Sequence, residues 1–324
     1  MTRRPTRLLA LALLVTPLCA AAFDLQGHRG ARGLAPENTL AAFSRALAIG
    51  VSSLETDLAV TRDDVLVLSH EPYLNPALTR DATGAWLAAQ GPNIHSLELA
   101  ELRRFDIGRL NPANGYARNW PEQVPADGQR VPTLDELLAL VRAHGPEVRL
   151  NIETKITPTS GAATPTVEEF SRLVVAALDR SGMAERITVE SFDWRTLVEI
   201  KRLRPRQETV CLTIESESMN TIAADRSGAS PWHAGLRAAD YGSLPHLVKA
   251  AGCETWSMFW RNLTPALAGE ARALGLKVLP WTVNEPAEMA RLVDLGVDGL
   301  ITDYPDRLRK VLADKSIALP PPGR

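Results

Sequence analysis

The sequence lacks several features that mark whole classes of protein. Its formal net charge is only −2 over 324 residues, so it carries no electrostatic footprint for nucleic acid or for an anionic lipid surface. A hydrophobic content of 45% and a charged content of 23% are ordinary, which excludes a disordered or fibrous chain. No G-x-G-x-x-G motif follows the first predicted strand, which argues against a dinucleotide-binding fold. We expect a globular protein with no nucleic-acid partner.

Cysteine is scarce as well. The chain has three, Cys19, Cys211 and Cys253, with neither a cysteine cluster nor a His-x-x-x-His pattern, which argues against a structural zinc site. Cys211 and Cys253 are free to pair if the protein matures in an oxidising compartment. The sequence leaves two alternatives open, a disulfide or a pair of buried thiols.

The amino terminus has the layout of a secretory signal peptide. Arg3, Arg4 and Arg7 precede an apolar run over residues 8–18, and small residues follow at positions 20–22. The run is too short for a permanent membrane span, although an uncleaved anchor is the alternative. We expect residues 1–22 to be a signal peptide cleaved near Ala22, with export to the periplasm and no stable membrane anchor.

Residues 23–324 are interpreted as one catalytic domain. Apolar runs of strand length alternate with amphipathic stretches of helical length, which is the pattern of a parallel sheet. Eight or nine such strands favour a closed (β/α)8 TIM barrel over an open sheet. Predicted helices are 39–49, 133–144, 167–181, 194–203, 244–250, 265–274, 286–295 and 306–312. Predicted strands are 24–28, 53–60, 65–69, 148–153, 187–192, 209–214, 254–259, 277–282 and 299–302.

Two departures from a regular barrel are predicted near its start. Strands 53–60 and 65–69 are joined by a turn too short for a crossover helix, so we expect an antiparallel hairpin. From about residue 73 to 131 the periodicity disappears, and only 96–105, opened by Ser96, looks helical. Such a long irregular stretch predicts an inserted cap segment, after the third strand, that overhangs the functional site.

Charged residues collect where barrel strands are predicted to end, which is where barrel enzymes build their sites. Glu55 and Asp57 are two apart on one strand and project to the same face, as do Glu153 and Lys155 on another. Three converging carboxylates suit a hard divalent cation, Ca²⁺ or Mg²⁺. The alternative is a buried ion-pair network of these carboxylates with Arg29 and Lys155.

Two histidines favour a catalytic interpretation. His28 and His70 each follow a predicted strand, and imidazole exchanges a proton near neutral pH. Arg29 and Lys155 are available to bind the non-bridging oxygens of a phosphate. The combination predicts a site for displacement at phosphorus, with a small molecule as substrate.

Five blocks, in order, carry a resemblance to a known family. They are H-R-G-A-R-G-L-A-P-E-N-T, E-T-D, S-H-E, N-I-E-T-K and the late pair W-T-V-N and I-T-D-Y-P, spread over about residues 25–312. The chain resembles the glycerophosphodiester phosphodiesterases of the exported, periplasmic type. The resemblance implies a phospholipase-C-like phosphodiesterase barrel and hydrolysis of glycerophosphodiesters to sn-glycerol 3-phosphate and an alcohol. Glu71 departs from the family, which usually has aspartate after this histidine.

The resemblance also implies roles for individual residues. His28 and His70 would be the catalytic acid and base, and Glu55, Asp57 and Glu153 would bind the divalent metal. Substrate contacts would come from Arg29, Glu37, Asn38, Lys155 and Trp281, the last as an apolar wall near the glycerol or alcohol moiety.

Two other functions are compatible with parts of this pattern. A lysophospholipase D or sphingomyelinase D-like enzyme would use the same barrel on lipids that carry an acyl chain. A non-catalytic binding protein of the cell envelope would have lost some of the two histidines and three carboxylates, whereas this chain has all five. The preferred alcohol, the physiological metal, the oligomeric state and the nucleophile, either water or the glycerol 2-hydroxyl, are not determined by the sequence.

Overall fold

The computed structural model describes residues 22–145, 147–225 and 228–322. The predicted signal peptide, including Cys19, lies outside the described residues except for Ala22. Within the described part of the chain, no helix is long and apolar enough to cross a membrane.

The strands form the predicted barrel. In chain order they are β1 Asp24–Gly27, β2 Ser53–Val60, β3 Leu66–Leu68, β4 Arg149–Thr154, β5 Ile187–Ser191, β6 Thr209–Thr213, β7 Thr255–Met258, β8 Lys277–Val278 and β9 Gly299–Thr302. Eight are parallel, in the order β8-β7-β6-β5-β4-β2-β1-β9. The two ends are joined by backbone hydrogen bonds from Asp298 N to Val278 O at 3.0 Å and from Ile301 N to Pro280 O at 3.1 Å. The TIM-barrel prediction is therefore confirmed.

Helices cover the outside of the barrel, except for the short α2, which lies in the segment after β3. They are α1 Leu40–Ile49, α2 Leu99–Leu102, α3 Leu134–His144, α4 Val167–Ser181, α5 Trp194–Leu203, α6 Leu244–Ala250, α7 Pro265–Ala273, α8 Pro286–Leu295 and α9 Pro305–Asp314. The caps show why they begin where they do, since Thr133 and Thr166 each form a capping box with a glutamate three residues later. Gly50 ends α1 with a φ of 91°, a left-handed conformation that glycine adopts without steric cost.

The predicted hairpin is present, and it fixes the position of the segment that follows it. β3 pairs antiparallel with β2, outside the eightfold order. On its other side, Leu68 N donates to Pro132 O at 2.9 Å, and Val67 bridges to Thr133. The chain therefore leaves the barrel after Leu68 and returns beside the same residue.

Residues 69–131 form what we call the inserted segment, and here one helix prediction was wrong. Instead of a helix over 96–105, the structure has a 3₁₀ turn at Ile94–Ser96 and a single α-turn, α2. Glu98, rather than Ser96, makes the capping box at the start of α2. Leu74, Ile94 and Leu102 of the segment are buried in a small apolar cluster that also contains Ala59 of β2 and Val67 of β3.

The structure shortens one predicted strand. β8 ends at Val278 rather than continuing to residue 282, because Pro280 has no N–H to donate to a ladder.

Cys211 of β6 and Cys253, just before β7, form a disulfide with a Cα–Cα distance of 5.9 Å. The structure thus selects the disulfide over the pair of free thiols.

Candidate active site

Three buried carboxylates meet at the carboxyl ends of β2 and β4. Glu55 and Asp57 share one face of β2, and the sheet register places Asp57 directly beside Glu153 of β4. One oxygen from each carboxylate lies within 4.8 Å of the others, and all three side chains are buried. The period-two argument from the sequence predicted this convergence.

The pKa values of the three carboxylates show whether the neighbouring cations, Arg29 and Lys155, supply enough positive charge to keep all three ionised. Burial raises the pKa of Glu55 well above its usual range, and burial raises the pKa of Glu153 to about 7. Burial alone would also raise the pKa of Asp57, but the nearby Arg29 and other positive groups lower it. The buried positive charge is therefore insufficient for three ionised carboxylates. Three carboxylates whose negative charge is not fully neutralised by nearby cations fit a divalent metal site better than they fit a closed ion-pair network with Arg29 and Lys155.

Arg29 is tied to this cluster by both backbone and side chain. Its φ of 49° lies in the left-handed region, and its N–H donates to Glu55 Oε2 at 2.8 Å. Its guanidinium contacts Glu37 Oε1 at 2.5 Å and lies 3.2 Å from Asp57 Oδ2. Arg29 therefore presents a buried positive charge beside the carboxylates.

Lys155 lies beside two members of the cluster and approaches a different oxygen of Asp57 from the one that Arg29 approaches. Its Nζ donates to Glu153 Oε1 at 2.8 Å and lies 3.6 Å from Asp57 Oδ1. Arg29 and Lys155 thus flank the three carboxylates, as a site for an anion bound next to a metal requires.

His28, which directly follows β1, is held by a residue that the sequence analysis missed. Its Nδ1 lies 2.6 Å from Asp303 Oδ1, and its Nε2 lies 3.8 Å from Glu55 Oε2. Burial opposes ionisation of Asp303, but Arg32 and His28 keep its pKa below the usual range, so this carboxylate only accepts hydrogen bonds. The proton of a neutral His28 therefore sits on Nδ1, which leaves the Nε2 lone pair facing Glu55.

Asp303 is itself fixed by further donors. Arg32 contacts it through Nε at 2.7 Å, and the Asn284 amide donates to Oδ2 at 2.7 Å. Burial and the nearby Arg32 lower the pKa of His28 to about 4, so the imidazole is neutral at physiological pH. A neutral, oriented imidazole is a competent general base.

His70 has a more open environment. Its Nδ1 lies 2.9 Å from Glu71 Oε1, and its side chain is 33% exposed. Burial, followed by the charges of Arg29 and Lys155, lowers its pKa as well. Both histidines are therefore neutral in this state, and each is oriented through Nδ1 by a carboxylate.

One cavity of about 170 Å³ is lined by both histidines, Arg29, Glu55 and Glu153, whereas Asp57, Lys155 and Asp303 lie behind its walls. Phe192 and Trp281 form an aromatic wall with ring centroids 5.4 Å apart, which agrees with the position expected for Trp281. Glu190 of β5 lies deeper, accepts a hydrogen bond from Asn151 at 2.6 Å, and has a pKa raised by burial. The catalytic cavity, as we call it, is lined by His28, Arg29, Arg32, Glu55, His70, Glu153, Glu190, Phe192, Leu212, Trp281, Thr282 and Ile301.

Glu37 and Asn38 do not line the catalytic cavity. Glu37 is buried between Arg29 and the Tyr116 hydroxyl, which donates to Glu37 Oε2 at 2.5 Å. Asn38 accepts from Thr56 and donates to Asp57 Oδ2 at 2.9 Å. In this structure both residues orient other site residues, and their predicted contact with substrate stays a prediction.

Four supporting residues were not identified from the sequence: Arg32, Tyr116, Asn284 and Asp303. Asp303 and Asn284 lie within the I-T-D-Y-P and W-T-V-N blocks, and Asp303 directly follows β9, so the strand-end rule applied to it. No such signal exists for Tyr116, which reaches the site from a 3₁₀ turn at Gly115–Asn119 in the inserted segment.

Comparisons with known proteins agree with this geometry. The sequence profile of the glycerophosphoryl diester phosphodiesterase family matches residues 28–307. A glycerophosphodiester phosphodiesterase of Caldanaerobacter subterraneus is 28% identical over 286 residues, 87% of this chain and 94% of the relative. A solved Silicibacter pomeroyi structure, assigned as a glycerophosphoryl diester phosphodiesterase, superposes with a TM-score of 0.81 at 36% identity, covering 92% of this chain and 96% of that one. An Oleispira antarctica phosphodiesterase, solved with the product sn-glycerol-3-phosphate, has the same fold, with a TM-score of 0.66 at 22% identity over 90% of this chain and 97% of its own.

Proposed function

Since this chain belongs to the glycerophosphodiester phosphodiesterase family, we propose that it hydrolyses glycerophosphodiesters to sn-glycerol 3-phosphate and an alcohol with the help of a divalent metal ion. The observation that carries the proposal is the shared cavity: both histidines, Arg29 and the carboxylates Glu55 and Glu153 line it. A binding protein has no need for two neutral histidines, each oriented through Nδ1, beside an acidic cluster.

The metal would be held by Glu55, Asp57 and Glu153. When bound, a divalent cation polarises the phosphoryl group and neutralises charge that develops in the transition state. The donor set consists of hard carboxylate oxygens, which supports Ca²⁺ or Mg²⁺.

The chain's own groups supply binding and proton transfer. Arg29 and Lys155 would hold non-bridging phosphate oxygens, and the aromatic wall of Phe192 and Trp281 suits the carbon face of glycerol. One histidine accepts the proton of the nucleophile, which is water or the glycerol 2-hydroxyl, at its free ring nitrogen. The other must first take up a proton from solvent, and it then donates that proton to the departing alkoxide. The buried Asp303 keeps Nε2 of His28 available for this transfer.

A coupled assay for glycerol 3-phosphate tests the proposal directly. Diesters of choline, ethanolamine, glycerol and inositol are supplied with and without Ca²⁺ and Mg²⁺. Lysophosphatidylcholine is the acylated comparison; because its cleavage leaves an acylated phosphate, its turnover and that of the choline diester are compared by choline release. We expect release of glycerol 3-phosphate that a chelator abolishes and the metal restores. Unchanged activity after chelation contradicts the metal requirement, and faster turnover of the acylated lipid contradicts the substrate class.

Substitution of the histidines tests the proton-transfer assignment. Because general acid–base steps each contribute about 10² to 10⁴-fold, we expect His28→Ala and His70→Ala to lower kcat by at least about 10²-fold. Circular dichroism of each variant checks that the barrel is intact. Near-normal turnover by either folded variant contradicts the assignment.

We also propose that the protein is exported to the periplasm after cleavage near Ala22. The proposal is supported by the basic and apolar pattern of residues 1–22 and by the Cys211–Cys253 disulfide, a bond that persists in oxidising compartments. Amino-terminal sequencing of the protein from a periplasmic fraction tests it. A mature chain that still begins at Met1 contradicts cleavage.

A further inference from the structure

A second cavity, of about 150 Å³, adjoins the catalytic cavity on the His70 side. Arg29, Arg32 and His70 line both, so the two spaces meet at the groups proposed to hold and cleave the phosphodiester. The inserted segment bounds the far side of this space, which we call the side cavity. A phosphodiester has two alcohols on one phosphorus, and two cavities meet at this phosphate position.

The two cavities differ in their walls. The catalytic cavity ends in the rings of Phe192 and Trp281. The side cavity is lined by apolar residues such as Ile107, by the rings of Tyr73 and Tyr116, and by the Glu71 side chain. If glycerol occupies the aromatic end, the side cavity is left for the second alcohol.

Of the charged residues described at the side cavity, Glu71 alone has no charged group as a direct ion-pair partner. Glu37 is paired with Arg29, and Arg32 is paired with Asp303. Within the described residues, the only ion-pair partner of Glu71 is His70, a neutral imidazole. The hydrogen bond from His70 lowers the pKa of Glu71, so the carboxylate is ionised. Its side chain is 32% exposed, which leaves an accessible negative charge on the cavity wall.

The neighbours of Glu71 suit a cation. The Tyr73 hydroxyl is hydrogen-bonded to it, and the more distant cations Lys155 and Arg29 are each paired with other carboxylates. An ammonium group is attracted both by a carboxylate and by the faces of aromatic rings. Choline and ethanolamine bear such a group, whereas glycerol and inositol are neutral.

We propose that the side cavity receives the departing alcohol and that Glu71 makes the enzyme prefer ammonium-bearing alcohols over neutral polyols. This inference rests on the proposed phosphodiesterase function. It assigns Glu71 a second role in addition to the orientation of His70.

The first test is Glu71→Gln, which removes the charge and keeps an oxygen that can accept from His70 Nδ1. We expect kcat/KM for the choline and ethanolamine diesters to fall about tenfold relative to the glycerol and inositol diesters. Glu147→Gln is the matched control: it makes the same charge change at an exposed site before β4, at the opposite end of the barrel, and should leave the ratio unchanged. An equal fall for all four diesters overturns the inference, because Glu71 would then serve only His70.

The second test is steric and does not involve His70. Ile107→Trp places bulk in the side cavity from the inserted segment, so we expect KM to rise more for the inositol diester than for the ethanolamine diester. Unchanged KM for every diester, with a native circular dichroism spectrum, shows that the alcohol binds elsewhere and overturns the inference. Failure of the unsubstituted enzyme to cleave any diester would contradict the proposed function instead.

Discussion

The two histidines belong to halves of the site that are built differently. His28 is oriented by Asp303, a fully buried residue after β9 that two further side chains hold in place. His70 is oriented by Glu71, its neighbour in the chain, and a third of each of these two side chains is exposed. His28 and Asp303 directly follow barrel strands, and we call their half the strand side. His70 and Glu71 lie at the start of the inserted segment, and we call their half the inserted-segment side.

The difference indicates a division of labour. Strand ends hold side chains to the tolerance that bond cleavage requires, because the sheet hydrogen bonds fix their positions. A loop-borne segment tolerates sequence change and suits recognition of a variable group. Apart from the two histidines themselves, we therefore expect substitutions on the strand side to lower kcat most, and substitutions on the inserted-segment side to lower activity less or to change selectivity.

The largest effect is expected for Asp303→Asn. The amide donates a hydrogen bond to Nδ1, which favours the tautomer with its proton on Nε2 and removes the base. We expect kcat to fall about 10²-fold with a smaller change in KM, measured by steady-state kinetics on glycerophosphocholine. A parallel rise of KM with unchanged kcat would mean that Asp303 acts on substrate binding instead.

A smaller effect is expected on thermal stability, which should change with the charge state of the strand-side carboxylate Glu153. Glu153 has a folded-state pKa of about 7, above its unfolded value near 4.5, so its contribution is fully present below about pH 4.5 and is lost as pH rises through 7. We expect Tm of the metal-free protein to fall by several degrees between pH 5 and pH 8. Because a cation bound only by the folded state stabilises it, millimolar Ca²⁺ or Mg²⁺ should reduce that fall.

Calorimetry on a matched pair of variants localises this effect. Asp57→Asn removes one proposed ligand and should weaken the response of Tm to the cation. Glu147→Gln changes an exposed carboxylate and should respond as the unsubstituted protein does. Equal cation responses in the two variants would contradict a metal site at Asp57.

The smallest effect is expected for Tyr116→Phe, on the inserted-segment side. It removes one hydrogen bond to Glu37, which keeps its contact with Arg29. A hydrogen bond to a charged group contributes about 1.5 to 3 kcal/mol, and only part of that reaches the phosphate through Arg29, so we expect at most a roughly tenfold loss of kcat/KM. A loss as large as that of Asp303→Asn would remove the contrast between the halves.

The three carboxylates and both histidines were singled out from the sequence, whereas residues that hold them in place, such as Asp303 and Tyr116, were not. Helices such as α4 and α8 were predicted with their observed bounds because a clear amphipathic period ends at a glycine. Glu55, Asp57 and Glu153 followed from the two-residue period of strands and their pairing.

The failures share a physical cause. Residues 96–105 contain good helix formers, but one turn suffices where the tertiary contacts of Leu102 fix the chain. The contact of Tyr116 with Glu37 spans 79 residues and depends on an irregular path that no periodicity encodes. The contacts of Glu37 with Arg29 and Tyr116 could not be predicted for the same reason.

The hydrogen bond from Leu68 to Pro132 has a consequence for how such enzymes diversify. Because the inserted segment leaves and rejoins the barrel at adjacent residues, its two ends stay fixed whatever lies between them. Loop-closure entropy grows only slowly with length, so a longer or shorter segment adds little cost to folding. The segment can therefore be exchanged as a unit. Grafting the corresponding segment from a relative can change the accepted alcohol, while the residues at the strand ends, which carry out bond cleavage, stay in place.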